Sequence, residues 1–131
     1  MSVQAAGVAK ILAPIIAVTL LVDGLLHVAP VFLFFRGNFF ADTLTVLFLL
    51  DFIAVTILAL AALTSPRWLG ARHWWVDIAI LAYCLVAIVI WFAYGSPNPR
   101  GLGIASKVVE VIVIVLAAYH LKLTRFESLT H

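Results

Sequence analysis

Apolar residues fill the chain in four long runs, each of about the 20 residues that a bilayer-spanning helix requires. Short polar segments separate them, and a few ionisable residues stand inside them. The pattern predicts an all-α protein with helices at about 10–35, 42–64, 74–94 and 104–123. Pro14 falls in the first turn of the first helix, where proline is tolerated. Pro30 cannot donate to the carbonyl of Leu26, which predicts a kink or an early end beside His27. Asp42 is placed to cap the second helix, and Ser65-Pro66 to stop it.

The links Arg36-Gly37-Asn38 and Ser96-Pro97-Asn98-Pro99-Arg100-Gly101 are short and turn-like. Sequential helices are therefore expected as antiparallel neighbours, in an up-down-up-down bundle that forms one domain over residues 1–131. Between the second and third helices, Arg67, Trp68, Arg72, Trp74 and Trp75 combine as interfacial anchors. Lys10, Arg67, Arg72, Lys122 and Arg125 fall on one side, against Arg36, Arg100 and Lys107 on the other. That bias favours both termini in the cytoplasm. Lys10 ahead of an apolar run superficially resembles a signal peptide. Asp23 interrupts that run, which is also too long, so a retained first helix is expected.

Composition strengthens the membrane reading. Of 131 residues 66% are hydrophobic and 11% charged, where a soluble domain has about 45–50% and about 25%. A soluble core of this size cannot hide the excess. Four spans also leave no room for a soluble catalytic domain or a nucleotide-binding fold. The net charge of +2 includes no basic stretch suited to nucleic acid. The single cysteine, Cys84, rules out an internal disulfide and reads as a packing residue.

Candidate chemistry rests on the ionisable residues inside the runs. Asp23 and His27 are one helical turn apart, so they share a face. With a rise of about 1.5 Å per residue, Asp51, Glu110 and His27 fall within about 6 Å of the depth of Asp23. These four residues define an expected buried polar layer, a proton relay, ligand set or helix-pairing device, with Lys107 as candidate ion-pair partner of Glu110. Asp77 and His120 form a second layer, about 10 Å deeper toward the cytoplasm. Taken singly, Asp77 complements a helix dipole and His120 reads as an interfacial anchor. Each mid-span charge costs about 2.5–3.5 kcal/mol to insert, so the acids must be protonated, paired or facing water. Carboxylates so gathered suit proton exchange or a cation.

No catalytic residue is assigned, and no metal site is expected, because Glu-x-x-His and His-rich spacings are missing. A bis-histidine haem is not expected either, since His27 and His120 differ by roughly 16 Å in depth. The small size favours a non-catalytic accessory subunit of a larger membrane complex, a respiratory one among the candidates. A quinone- or lipid-handling redox protein and a homo-oligomeric proton or cation carrier are the alternatives. The expected partners are the bilayer and other membrane subunits or further copies of the chain.

Overall fold

The computed structural model describes residues 3–34, 43–68, 74–96 and 101–126. It is all-helical: α1 (Val3–Phe34), α2 (Thr43–Trp68), α3 (Trp74–Ala93) and α4 (Leu102–Leu121). A wider π-helical turn, Lys122–Phe126, continues α4. All four helices are long and apolar enough to cross a membrane.

Helix α1 packs along both α2 and α4, and α3 packs on α4, while α2 and α3 share a smaller contact. The core is built from Ile16 and Leu20 of α1, Val55 and Ala59 of α2, Ile80 and Cys84 of α3, and Val113 and Ala117 of α4. The outward faces are equally apolar, with Val18, Ile57, Val89 and Val115 all more than half exposed. Water would penalise such a surface, whereas hydrocarbon does not. The hydroxyls of Thr19, Thr56 and Thr64 bond to the carbonyls of Ile15, Phe52 and Leu60 one turn back. Each of these hydroxyls is thereby satisfied within its own helix, without water.

Two helix ends differ from expectation, and the early end considered at Pro30 does not occur. Helix α1 starts at Val3 rather than near Lys10, which puts Pro14 well inside the helix instead of in its first turn. The residues Val3 to Ala13 contain no strong breaker and are rich in alanine, and Pro14 itself is exposed, so its ring meets no packed neighbour. Helix α1 also continues through Pro30 to Phe34, so there is no early end beside His27. Helix α2 runs through Ser65-Pro66 to Trp68. Proline in a last turn removes a single backbone bond, which the preceding apolar turns outweigh. The expected cap Asp42 and anchor Arg72 lie outside the described residues, as do the side chains of Arg67 and Trp68. Trp74 and Trp75 open α3, stacked with ring centroids 4.3 Å apart, and the Arg125 guanidinium lies 3.7 Å from the Trp74 ring centroid.

Glycine matters at one position in this packing. A Cβ on Gly24 would meet Val55 Cγ1 at 3.0 Å and Phe52 Cδ2 at 3.2 Å, so Gly24 sets how closely α2 approaches α1 beside Asp23. On the same helix, a Cβ on Gly7 would have nothing within 4 Å. Gly24→Ala is expected to destabilise the fold by about 1–3 kcal/mol through overpacking. Gly7→Ala should be neutral or stabilising by up to about 1 kcal/mol. Thermal unfolding in detergent micelles reads both; equal shifts would refute the close approach.

Candidate functional site

The polar residues of the spans meet inside the bundle at two places. The larger group forms where α1, α2, α3 and α4 converge on His27. Its Nδ1 lies 2.9 Å from the main-chain carbonyl of Asp23, 3.2 Å from Asp51 Oδ2 and 3.5 Å from Asp23 Oδ1. Its Nε2 lies 3.6 Å from Glu110 Oε1. Asp23 and Glu110 are fully enclosed, whereas the side chains of His27 and Asp51 are 11% and 17% exposed.

Two hydroxyls and an ammonium bind this acidic group together. Ser106 Oγ donates to Asp23 Oδ1 at 2.8 Å and also lies 3.4 Å from Glu110 Oε1 and 3.3 Å from either nitrogen of His27. Tyr83 donates its phenolic hydrogen to Asp51 Oδ1, which ties α3 to α2. Lys107 Nζ lies 2.8 Å from both oxygens of Glu110 and 5.9 Å from the Trp91 ring centroid. Even so, Asp23 Oδ2 and Asp51 Oδ2 are buried without a hydrogen-bond partner among the described residues. Acceptors outnumber donors here.

The group borders a cleft of about 110 Å³ where α2 and α3 part. Leu47, Phe48, Ala87, Ile90 and Trp91 give it apolar and aromatic walls, and His27, Asp51, Tyr94 and Lys107 supply its polar lining. A cavity of about 150 Å³ accepts a benzene ring, so this cleft, open on one side, approaches single-ring size without reaching it. A shallower apolar groove of about 330 Å³, lined by Ile104, Val108 and Val111, shares Trp91 and Lys107 with it.

The second group is smaller and closed. His120 Nδ1 lies 2.7 Å from Asp77 Oδ2, joining α4 to α3, and both residues are buried. Asp77 stands in the first turn of α3, where its charge also complements the helix dipole. Thr124 in the π-helical turn bonds to the main-chain carbonyl of His120 at 2.9 Å. The single-residue readings of Asp77 and His120 missed that the two are partners.

The structure thus brings Asp23, His27, Asp51, Glu110 and Lys107 together and keeps Asp77 and His120 apart from them. Sequence reasoning also missed Ser106 and Tyr83. Ser106 stands one turn before Glu110 on the same face, a spacing that was readable; Tyr83 carried no such signal. Comparison with protein-family models, curated proteins and solved structures returned no match.

The Asp77–His120 bond can be measured directly. A double-mutant cycle of Asp77→Asn and His120→Gln should give a coupling energy of about 0.5–3 kcal/mol in thermal or denaturant unfolding. Strictly additive single variants would mean that the two side chains do not interact.

Proposed function

We propose that this chain is a multi-pass integral membrane protein, an up-down-up-down bundle that binds a small amphipathic ring compound of the quinone class. The observation that carries the reading is a cleft with apolar and aromatic walls and four polar side chains, His27, Asp51, Tyr94 and Lys107. A quinone head is flat, neutral and rimmed with carbonyl acceptors. The Lys107 ammonium suits those carbonyls, with His27 beside it on the cleft wall, and Phe48 and Trp91 suit the ring faces. The adjoining groove past Trp91 offers an isoprenoid tail a path along the outer face of α4.

Charge selects among amphipathic ligands. An anionic phospholipid headgroup would face Asp23, Asp51 and Glu110 with Lys107 as counter-charge, and like charges in a low-dielectric site repel strongly. A neutral head avoids that penalty. The pairing of α1 with α2 and α4, and of α3 with α4, supports the antiparallel arrangement. The excess of cationic residues on one side supports termini in the cytoplasm.

The accessory-subunit role is the second reading, favoured by the small size of the chain. The ionic contacts described above form within one chain, so they do not by themselves call for a partner subunit. Native extraction discriminates: a stoichiometric membrane partner favours the subunit role, and bound quinone without a partner favours the ligand-binding one. A homo-oligomeric carrier would instead show proton or cation flux in liposomes, abolished by Asp51→Asn.

Binding is tested with a decyl-tailed benzoquinone titrated into the detergent-purified protein. Saturable tryptophan quenching is expected, most of it lost in Trp91→Phe. Ala87→Phe, which fills the cleft, should weaken affinity at least tenfold. Lys107→Ala should weaken it by about tenfold, the equivalent of one hydrogen bond at about 1.4 kcal/mol. Unchanged affinity in Ala87→Phe would refute the site.

A further inference from the structure

We propose that Asp23, His27 and Glu110 hold a divalent transition-metal ion at the centre of the bundle. Each offers one ligand atom, and these atoms lie within 4.8 Å of one another. Ligands about 2.1 Å from one ion at a tetrahedral angle stand roughly 3.4 Å apart. The 3.6 Å between His27 Nε2 and Glu110 Oε1 is close to that spacing. A pair at the 4.8 Å limit would need to close by about 1.4 Å.

The hydrogen-bond accounts of His27 point the same way. Everything around Nδ1 on α1 and α2 is an acceptor: the Asp23 carbonyl, Asp51 Oδ2 and Asp23 Oδ1. Nδ1 therefore carries the hydrogen, and in the neutral imidazole Nε2 presents a lone pair. That lone pair faces Glu110 Oε1, another acceptor. The nearby hydroxyl hydrogen, on Ser106, is taken by Asp23 Oδ1 at 2.8 Å. Nε2 and Oε1 thus face each other with no hydrogen bond joining them, although Oε1 also takes the Lys107 ammonium at 2.8 Å; a cation between the two would bridge them. An Nδ1–H bonded to a carbonyl with Nε2 turned to a metal is also the usual way a protein orients a ligating imidazole.

A second observation is independent of that contact. Asp23 is fully enclosed, yet its Oδ2 has no hydrogen-bond partner among the described residues. An orphaned carboxylate oxygen in an apolar bundle costs its full desolvation unless something positive binds it. Charge balance defines the ion. Among the described residues, Asp23, Asp51 and Glu110 face one ammonium, Lys107; with all three acids ionised and His27 neutral, one divalent ion would balance the group. One imidazole with two carboxylates and no thiolate suits the harder to borderline ions Mn²⁺, Fe²⁺ and Zn²⁺. For Glu110 to bind through Oε1, Lys107, which lies 2.8 Å from both oxygens, must move wholly onto Oε2. The cleft lined by His27, Asp51 and Lys107 gives the ion a way in.

The site shares His27 and the cleft with the quinone reading but does not depend on it, and its test uses no quinone. The full-length protein, purified in detergent and stripped with chelator, is titrated calorimetrically with Mn²⁺ and Zn²⁺ salts. One ion per chain is expected, with micromolar or tighter affinity and a raised Tm. His27→Gln and Glu110→Gln should each weaken binding by tenfold or more and remove the Tm shift. Lys107→Gln, which removes a competing positive charge, should tighten it several-fold. Should the first two variants fail to fold, pulsed electron paramagnetic resonance of Mn²⁺ on the wild-type chain decides, since a single imidazole nitrogen must couple to the ion. No binding at millimolar ion, affinity unchanged in folded variants, or bound Mn²⁺ without an imidazole nitrogen would each overturn the proposal.

Discussion

An ionisable side chain inside an apolar helix has few places to go, and that constraint shapes this bundle. At about 2.5–3.5 kcal/mol per mid-span charge, Asp23, Asp51 and Glu110 cannot all point into hydrocarbon. Turned inward, they must find donors, and the donors come from other helices. Ser106 on α4 reaches Asp23 on α1, Tyr83 on α3 reaches Asp51 on α2, and His27 lies among acids from three helices. Gly24, next to Asp23, brings α2 close enough for this to happen. The polar group therefore specifies which helix faces turn inward, a task that the nearly uniform apolar surfaces cannot perform alone.

The parts of this arrangement that were legible in the sequence are those set by length along a helix axis. Four apolar runs announce four helices because hydrocarbon demands about 20 apolar residues. A fixed rise per residue groups Asp23, His27, Asp51 and Glu110 in depth, and the structure brings their side chains together. Rotation about the axis was not legible. A soluble helix betrays its buried face by an apolar stripe, but residues such as Ile57 and Val115 make the outer faces here as apolar as the inner ones. Neutral hydroxyls give little warning beside charged residues, which is why Ser106 and Tyr83 do not stand out in the sequence. The helix ends depart from expectation for a different reason. Pro30 and Pro66 read as breakers and Pro14 as a first-turn residue, yet each removes one backbone bond from helices that packing and apolar surroundings hold together along their length.

The two polar groups make an internal comparison. Asp77 and His120 are one acid and one base at 2.7 Å, buried and mutually satisfied. A device whose task is to join two helices needs nothing more. The group around His27 is built differently: three carboxylates share one imidazole and one ammonium, two of their oxygens have no partner among the described residues, and a cleft reaches them. Buried groups left unsatisfied lower stability, and a chain that had only to staple its helices would gain by replacing the whole group, acids together with their partners, with packed apolar residues. The same imbalance is what a site requires if it is to receive something from outside, because open acceptors and a spare lone pair are binding capacity. Within one bundle the matched pair shows that this sequence can build a closed polar contact, and the contrast with the unmatched group is what supports the proposed binding role.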